Sequence, residues 1–240
     1  MKSSSFRKNG YFVIKNLLNS NEVDNYRKQL SKINSLNKTW DVPDGITKNK
    51  DLWSLIVNKN LIKNLKKEVG DIKYTQHSDI LVNTNGIGWH RDSAHRNFNS
   101  GPDWDEKTEK YSIVRVAIYL FDNKNKKPFS LGLIPNSHRK ESLFTKYSII
   151  VNNKLNQLRR KFGLKQSLFN PSWFKSDWPN IESGDAVIFD QRVYHSPNLF
   201  RDHKVGLFLS YGLENSHSIN HINYYREKRK DLGYLQSFNN

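Results

Sequence analysis

The sequence predicts a mainly β protein with flanking α-helices, built as an antiparallel sandwich or jelly roll. Helical periodicity precedes Gly70, and from Ile72 onward the chain changes to short runs rich in β-branched and aromatic residues. Turn formers at 83–86, 126–128 and 182–185 separate these runs. Their spacing favours antiparallel pairing over alternating β-α-β units.

Two helical patterns follow a short strand predicted at 11–14. Asn19 and Glu22 have capping-box spacing, so a helix should begin there. Its apolar positions recur at intervals of three and four: Val23, Tyr26, Leu30 and Ile33. A second pattern covers about 50–69. We expect both helices to pack outside the sheet.

Five further strands are predicted, at 73–82, 111–121, 130–134, 186–190 and 205–211. The intervening segment 139–180 is predicted to be an insertion, partly helical around 152–162. A last helix is expected within 215–234, lying back on the sheet. The length favours one domain spanning 1–240, with N-terminal helices at about 20–69.

A formal charge of +16 and a pI near 9.8 raise nucleic acid, anionic membranes and acidic substrates as partners. The basic residues are 27 lysines and 12 arginines, a skew that an A-rich genome produces by itself. Their runs are scattered and form no tail or arm, which is typical of solvated faces. We therefore do not expect nucleic acid as the partner.

The absence of cysteine excludes disulfides, thiolate metal sites, zinc fingers and cysteine nucleophiles. The first ten residues lack the apolar core of a signal peptide, and no apolar stretch has the length of a membrane span. We expect a soluble cytoplasmic protein without a membrane partner.

Two histidines and an aspartate form the candidate metal site. His90 and Asp92 are two residues apart, so an extended backbone would project both side chains to one face. His195 follows a buried-looking strand that the turn at 184–185 introduces. Two imidazoles and one carboxylate leave positions open on a metal, the pattern of non-haem Fe(II) enzymes. The alternative for His195 is a core histidine bonded to a backbone carbonyl.

Several motifs surround this triad in a characteristic order. They are Asn-Gly-Tyr-Phe-Val-Ile-Lys-Asn-Leu-Leu at 9–18, Trp-His-Arg-Asp at 89–92, Leu-Gly-Leu-Ile-Pro-Asn-Ser-His at 131–138, Gly-Asp-Ala-Val-Ile-Phe at 184–189 and Tyr-His-Ser-Pro-Asn at 194–198. With these motifs the chain resembles the phytanoyl-CoA dioxygenase-like branch of the Fe(II)/2-oxoglutarate-dependent oxygenases. The resemblance covers most of the chain and leaves 139–180 outside.

The resemblance implies a double-stranded β-helix, the cupin-like form of a jelly roll, with Fe(II) bound by His90, Asp92 and His195. It further implies 2-oxoglutarate as a cosubstrate that chelates the iron, and O2 as the oxidant. The expected enzyme is a dioxygenase that hydroxylates a small molecule and releases succinate and CO2. Asp92 stands where related halogenases have a small residue, which favours hydroxylation.

Family members usually place an arginine on the strand after the distal histidine, where it binds the far carboxylate of 2-oxoglutarate. Lys204 occupies the matching position here, and a lysine can act as a point charge. Arg201 is the second candidate and Arg115 the third, while an ordinary surface lysine is the alternative for Lys204. Ser196 and Asn198 are further candidates for hydrogen bonds to the cosubstrate.

The remaining candidates surround the site entrance. His95 and Arg96 are expected there, where they could meet an anionic small-molecule substrate, and His138 is expected to close a turn. The sequence leaves the substrate open. A jelly-roll protein that binds an anionic ligand or RNA, with a vestigial metal site, is the alternative function. A zinc hydrolase is a third possibility, although its usual helix motif His-Glu-x-x-His is absent.

Overall fold

Nine strands form two antiparallel sheets in the part of the chain that the structure describes, which comprises residues 5–84, 88–104, 113–121, 129–162, 176–197 and 204–228 of a computed structural model. The strands are β1 Tyr11–Ile14, β2 Trp40–Pro43, β3 Lys73–Val82, β4 Val114–Leu120, β5 Phe129–Leu133, β6 Asn180–Ile181, β7 Ala186–Asp190, β8 His195–Pro197 and β9 Val205–Gly212. Six form a sheet in the order β1-β7-β4-β9-β3-β2, and three form a smaller sheet in the order β6-β5-β8. The predicted antiparallel sheet with flanking helices is confirmed.

Helices flank the sheets in the described ranges. They are α1 Ser5–Asn9, α2 Ser20–Ile33, α3 Gly45–Lys48, α4 Trp53–Ile56, α5 Lys59–Glu68, α6 Leu143–Lys161 and α7 Ser216–Lys228, with a 3-10 turn at Lys50–Leu52. None of the described helices combines the length and the apolar character that crossing a bilayer requires.

The two faces of the six-stranded sheet bury different sets of side chains. Alternate residues of β9, such as Leu207 and Leu209, pack with β3, β4 and helices α2 and α5 in the larger core. The residues between them face the other way, where Phe208 packs against an inner cluster that includes Tyr119 and Phe189. This inner face looks towards the smaller sheet, because Leu131 and Leu133 of β5 join the same cluster.

The N-terminal helix begins as its cap predicts. The Asn19 side chain accepts from the Glu22 N–H, and the Glu22 carboxylate accepts from the Asn19 N–H, so both halves of the capping box are present. The helical pattern at 50–69 is not one helix, because Asn58 interrupts it. Its side chain accepts a hydrogen bond from the Leu61 N–H and thereby starts α5.

Some predicted boundaries are wrong. Strand β4 begins at Val114 rather than 111, and 105–112 lie outside the described residues. Strand β2 was not predicted, since it is short, ends in Pro43 and pairs only at the edge with β3. Helix α6 begins at Leu143, well before the expected 152.

The early start of α6 was hidden by its reversed polarity. Its described buried side chains are mostly polar: Ser148, Asn152 and Asn156 are polar, and Ile149 is apolar. Its exposed positions include large apolar side chains: Leu143, Phe144, Tyr147, Ile150, Val151, Leu155 and Leu158. A search for an apolar stripe facing the core therefore gives the wrong face.

Candidate metal centre

The three predicted ligands lie together. One ligand atom from each of His90, Asp92 and His195 lies within 4.8 Å of the others. The Asp92 Oδ1 atom is 3.5 Å from His90 Nε2 and 3.7 Å from His195 Nε2. Three donor atoms facing one point fit a divalent metal bound by two imidazoles and one carboxylate.

Backbone hydrogen bonds fix this arrangement. His90 and His195 form an isolated antiparallel bridge, with the His90 N–H bonded to the His195 carbonyl at 3.0 Å and the reverse bond at 2.9 Å. The Asp92 N–H donates to the Gln191 carbonyl at 2.8 Å. Only a single bridge forms at His90, and it brings the side chains of His90 and His195 to one site.

Each imidazole is oriented by a backbone carbonyl. Nδ1 of His90 lies 2.8 Å from the Gly88 carbonyl, and Nδ1 of His195 lies 3.1 Å from the Val193 carbonyl. A carbonyl only accepts, so both Nδ1 atoms carry the proton and the Nε2 lone pairs face the site. The carbonyl bond considered as an alternative for His195 is present, and it serves to aim the metal-facing nitrogen.

The protonation states suit a metal ion. Burial lowers the pKa of His195 to about 4, so its imidazole is neutral at pH 7. Burial acts to raise the pKa of Asp92, but the nearby His195 and His90 side chains and the Arg115 guanidinium lower it well below its usual value. Neutral imidazole and ionised carboxylate are the forms that coordinate a metal.

Arg115, the third candidate anchor, lies beside the triad. Its side chain is buried on the inner face of β4, with Nε 3.8 Å from Asp92 Oδ2. One terminal nitrogen donates to Ser210 Oγ at 2.8 Å, and the other is bonded to the Asp79 carboxylate. Its guanidinium is therefore already engaged by protein groups.

Lys204, the first candidate anchor, is buried rather than on the surface. It is 8% exposed, and its Nζ donates to the Thr84 carbonyl at 3.2 Å. Burial lowers its pKa to about 8. Lys204 immediately precedes β9, and Ser210, six residues further along, lies opposite Arg115, so the Cα atoms of Lys204 and Arg115 are about 20 Å apart. Arg201 lies outside the described residues.

Ser196 is not brought to the triad. It pairs with Gly132, whereas His195 pairs with Leu133 of the inner cluster. Side chains alternate along a strand, so the Ser196 hydroxyl lies on the opposite face from the His195 ring. Asn198 falls outside the described residues.

The other candidate histidines have different surroundings. His138 is buried, and a Cβ added at Gly10 would meet its ring at 2.5 Å, so it fills a close-packed turn as expected. His95 is exposed, with Nδ1 3.2 Å from Ser100 Oγ. Arg96 is exposed and lines a cavity next to His90.

Sequence reasoning missed a clamp from α6. The Asn153 side chain accepts from the Trp89 N–H at 3.0 Å and donates to the Trp89 carbonyl at 2.9 Å. It thereby ties α6 to the residue before His90. No sequence pattern links residues so far apart along the chain.

Arg91 lies between two of the ligands and was not among the predicted site residues. It is fully buried, with Nε donating to the Arg192 carbonyl and a terminal nitrogen 2.9 Å from Glu141 Oε1. The guanidinium carbon lies 3.5 Å from the Tyr194 ring centroid. Arg91, which precedes Asp92, therefore packs on Tyr194, which precedes His195. The alternation of side chains was the available indication that Arg91 faces a second, buried partner.

A buried polar chain reaches the triad from α7. His221 lies 3.2 Å from Asp103 through Nδ1 and 3.1 Å from Nδ1 of His77 through Nε2. The His77 Nε2 atom is 3.4 Å from Asp79, the partner of Arg115. Beside this chain, the Tyr225 hydroxyl donates to the Asp92 carbonyl at 3.0 Å.

A cavity of about 430 Å³ opens next to His90. Helix α6 forms one wall, and the residues before the two histidine ligands form another. The lining comprises Trp89, His90, Arg96, Asn97, Ile149, Ile150, Asn153, Asn156, Gln157 and Tyr194. Among the described residues, this lining combines amides, aromatic rings and one cation, without a carboxylate.

No family model matches the sequence, and no curated protein matches it. Solved structures do resemble the fold. The non-haem α-ketoglutarate-dependent epimerase SnoN from nogalamycin biosynthesis has a TM-score of 0.60 at 13% identity, covering 88% of this chain and 81% of its own. HygX from Streptomyces hygroscopicus, with nickel and 2-oxoglutarate bound, has a TM-score of 0.59 at 17% identity, covering 86% and 84%. AviO1 from Streptomyces viridochromogenes has a TM-score of 0.58 at 13% identity, covering 88% and 92%.

These similarities establish a shared fold. SnoN is described as α-ketoglutarate-dependent, and HygX has also been solved with iron bound. The chain therefore shares the fold of these structures. At the present identities, the chemistry of this chain has to be argued from its own residues.

Proposed function

We propose that this protein is an Fe(II)- and 2-oxoglutarate-dependent dioxygenase that hydroxylates a small molecule on a double-stranded β-helix. The observation that carries this proposal is the convergence of His90, Asp92 and His195, with both Nδ1 atoms bonded to backbone carbonyls and both Nε2 atoms facing the carboxylate. A core histidine pair without a ligand would have no need of this common orientation. The donor set suits Fe(II) with open coordination positions.

Lys204 is the proposed anchor for the distal carboxylate of 2-oxoglutarate. It is a buried cation, and a buried ammonium gains most from an anionic partner. Arg115 is less suited, because it is bonded to Asp79 and Ser210. Arg201 remains the second proposal for the same role.

The chain supplies binding, orientation and exclusion of water. Bound iron and 2-oxoglutarate would supply the oxidising chemistry, with succinate and CO2 released from the cosubstrate. The Phe189 ring lies 4.5 Å from the His195 ring, and Tyr119 and Phe208 line the inner face beyond it. These rings would keep bulk water from the buried side of a metal bound by the triad.

The substrate is proposed to bind in the cavity beside His90. Among the lining residues that the structure describes, Arg96 alone carries a formal charge, so a neutral or anionic molecule fits better than a cation. Solved relatives of the fold have been described with small molecules, namely HygX with hygromycin B and SnoN with nogalamycin RO. A small-molecule substrate is the corresponding proposal here.

Anaerobic reconstitution tests the proposal. Folded protein given Fe(II) and 2-oxoglutarate should develop the visible charge-transfer band of the chelate, and admission of O2 should yield succinate. The Asp92→Asn variant should lose most of the band, whereas Asp41→Asn, which changes an exposed aspartate outside the site, should retain it.

Two outcomes would contradict the proposal. Folded wild-type protein with neither band nor succinate is not a 2-oxoglutarate oxygenase. Stoichiometric metal binding without succinate would instead support the alternative of a binding protein.

A further inference from the structure

We propose that Arg115 is a positioning residue that keeps Asp92 attached to the metal through a single oxygen. The inference rests on the proposed function in one respect, that the triad binds a divalent metal. It concerns how many coordination positions the carboxylate leaves open.

The two oxygens of Asp92 face different partners. Oδ1 faces both imidazole Nε2 atoms, at 3.5 and 3.7 Å, so it is directed at the metal position. Oδ2 faces Nε of Arg115 at 3.8 Å. A carboxylate can bind a metal through one oxygen or two. The cation at Oδ2 favours the first mode, because rotation into the second would draw charge away from it.

Arg115 is itself held from two sides. Ser210 Oγ accepts from one terminal nitrogen at 2.8 Å, and the Asp79 carboxylate binds the other. The side chain of Arg115 is only 5% exposed, so few other rotamers are open to it. The guanidinium is therefore fixed independently of the metal.

The hydrogen bonds of the buried polar residues behind Asp79 all donate in the direction away from Asp79. Burial lowers the pKa of both His77 and His221, so each imidazole is neutral and carries one proton. His221 Nδ1 donates to Asp103, and His221 Nε2 must then accept from His77 Nδ1. His77 Nε2 has no proton left for Asp79, so this carboxylate takes its hydrogen bond from Arg115.

The far end of this chain returns to the metal segment. Both oxygens of Asp103 accept from the Ala94 N–H, at 3.1 and 3.0 Å, two residues beyond Asp92. Arg115 therefore contacts the carboxylate of Asp92, and Asp103 holds the backbone two residues further along, at Ala94. If Asp92 occupied two positions on iron, one of the three needed for a chelating 2-oxo acid and O2 would be lost.

The test separates binding of metal from binding of the 2-oxo acid. Mn(II) replaces Fe(II) because it does not oxidise in air, and its binding is followed by electron paramagnetic resonance. Arg115→Met should leave the Mn(II) dissociation constant within about threefold of wild type or lower it, since a second carboxylate oxygen becomes available. The dissociation constant of 2-oxoglutarate on the Mn(II) protein should rise about tenfold or more.

Pyruvate distinguishes this role from direct anchoring. It keeps the 2-oxo acid group that chelates a metal but lacks the distal carboxylate. If Arg115 acts through Asp92, its loss should weaken pyruvate and 2-oxoglutarate by the same factor. If only 2-oxoglutarate is weakened, Arg115 binds the distal carboxylate and the proposal is wrong.

Further variants control for folding. Arg192→Met removes another buried arginine that is paired with an aspartate, Asp190. This variant should bind pyruvate and 2-oxoglutarate with the dissociation constants of the wild-type Mn(II) protein. Arg115→Lys should restore part of the wild-type behaviour. Should Arg115→Met fail to fold, Arg115→Gln takes its place, because it also removes the cation that faces Asp92 and should act in the same direction.

A crystal structure of the Mn(II)-loaded Arg115→Met protein should show both Asp92 oxygens on the metal. One oxygen on the metal, or parallel losses of metal and 2-oxo acid affinity, would overturn the inference. A wild-type protein that binds no Mn(II) at the triad would instead contradict the proposed function.

Discussion

Gly88 shows how closely the α6 clamp fits the metal segment. Its φ of +90° belongs to a region that other residues seldom adopt, and a Cβ there would lie 2.4 Å from the Asn153 Oδ1 atom. That oxygen is the acceptor for the Trp89 N–H. Glycine at this position therefore permits the clamp as well as the turn.

We expect Gly88→Ala to destabilise the protein by about 2 kcal/mol or more, from backbone strain and the clash with Asn153. Urea unfolding measures this change. In the Asn153→Ala background the clash is gone, so the same glycine substitution should cost less. Equal costs in the two backgrounds would show that the clamp does not depend on Gly88.

The buried ammonium of Lys204 predicts a pH dependence. Its pKa is lowered to about 8 in the folded protein, against about 10.4 for a free lysine. Between these values the unfolded chain binds more protons, so the contribution of Lys204 to stability rises with pH. Anion binding has the opposite sign, since it needs the protonated amine.

The dissociation constant of 2-oxoglutarate should therefore rise as the pH passes about 8, reaching about tenfold one unit higher. Isothermal titration on the Mn(II) protein measures it. Lys204→Arg, whose charge persists, should give a flatter profile. An unchanged profile in this variant would exclude Lys204 as the anchor.

The three candidate ligands could be predicted from the sequence, but the contacts that hold them in place could not. Period-two alternation predicts that His90 and Asp92 share a face, and motif order brings in His195. Arg91 and Asn153 were missed because their partners lie far away in sequence. The preference for Lys204 over Arg115 likewise depended on motif position, while the contacts of Arg115 emerge only in three dimensions.

Helices α6 and α7 approach the metal site from the two parts of the chain where sequence patterns were weakest. Helix α6 carries its polar side chains inward, where Asn153 and the cavity-lining Asn156 lie. Helix α7 was expected in 215–234 only as a cover for the sheet, and it is observed from Ser216 to Lys228. Both helices contribute contacts next to the ligands.

Tyr225 gives a direct test of α7. Its hydroxyl donates to the Asp92 carbonyl, so Tyr225→Phe should lower stability by about 1 kcal/mol and weaken Mn(II) binding several-fold. Tyr224→Phe removes a hydroxyl from the adjacent, partly exposed position and serves as the matched control. If both variants bind Mn(II) like wild type, α7 does not support the ligand.

The fold as a whole followed from local patterns to a large extent. Strands at 11–14, 73–82 and 186–190 were predicted with their observed bounds, since each is a compact run of apolar or β-branched residues. The sheet order was not predictable, because pairing of β9 with both β3 and β4 is a long-range choice. The extent of the single domain remains a prediction.

Metal binding should stabilise the entire chain. A ligand that binds only the folded state adds free energy according to its concentration, about 2.7 kcal/mol at a hundred times its dissociation constant. Mn(II) should therefore raise the melting temperature of the wild-type protein. Differential scanning calorimetry on His195→Ala should show a much smaller rise, and equal rises would place the metal elsewhere.

The bridge between His90 and His195 is made by main-chain atoms alone. Side chains at these positions can therefore be exchanged without removing the bonds that keep the two segments adjacent. The same holds for Asp92, whose amide is bonded to the Gln191 carbonyl. The backbone of the site should therefore keep its arrangement when the metal-binding side chains are substituted. A protein engineered for a different metal, or for an added external ligand, can start from this backbone.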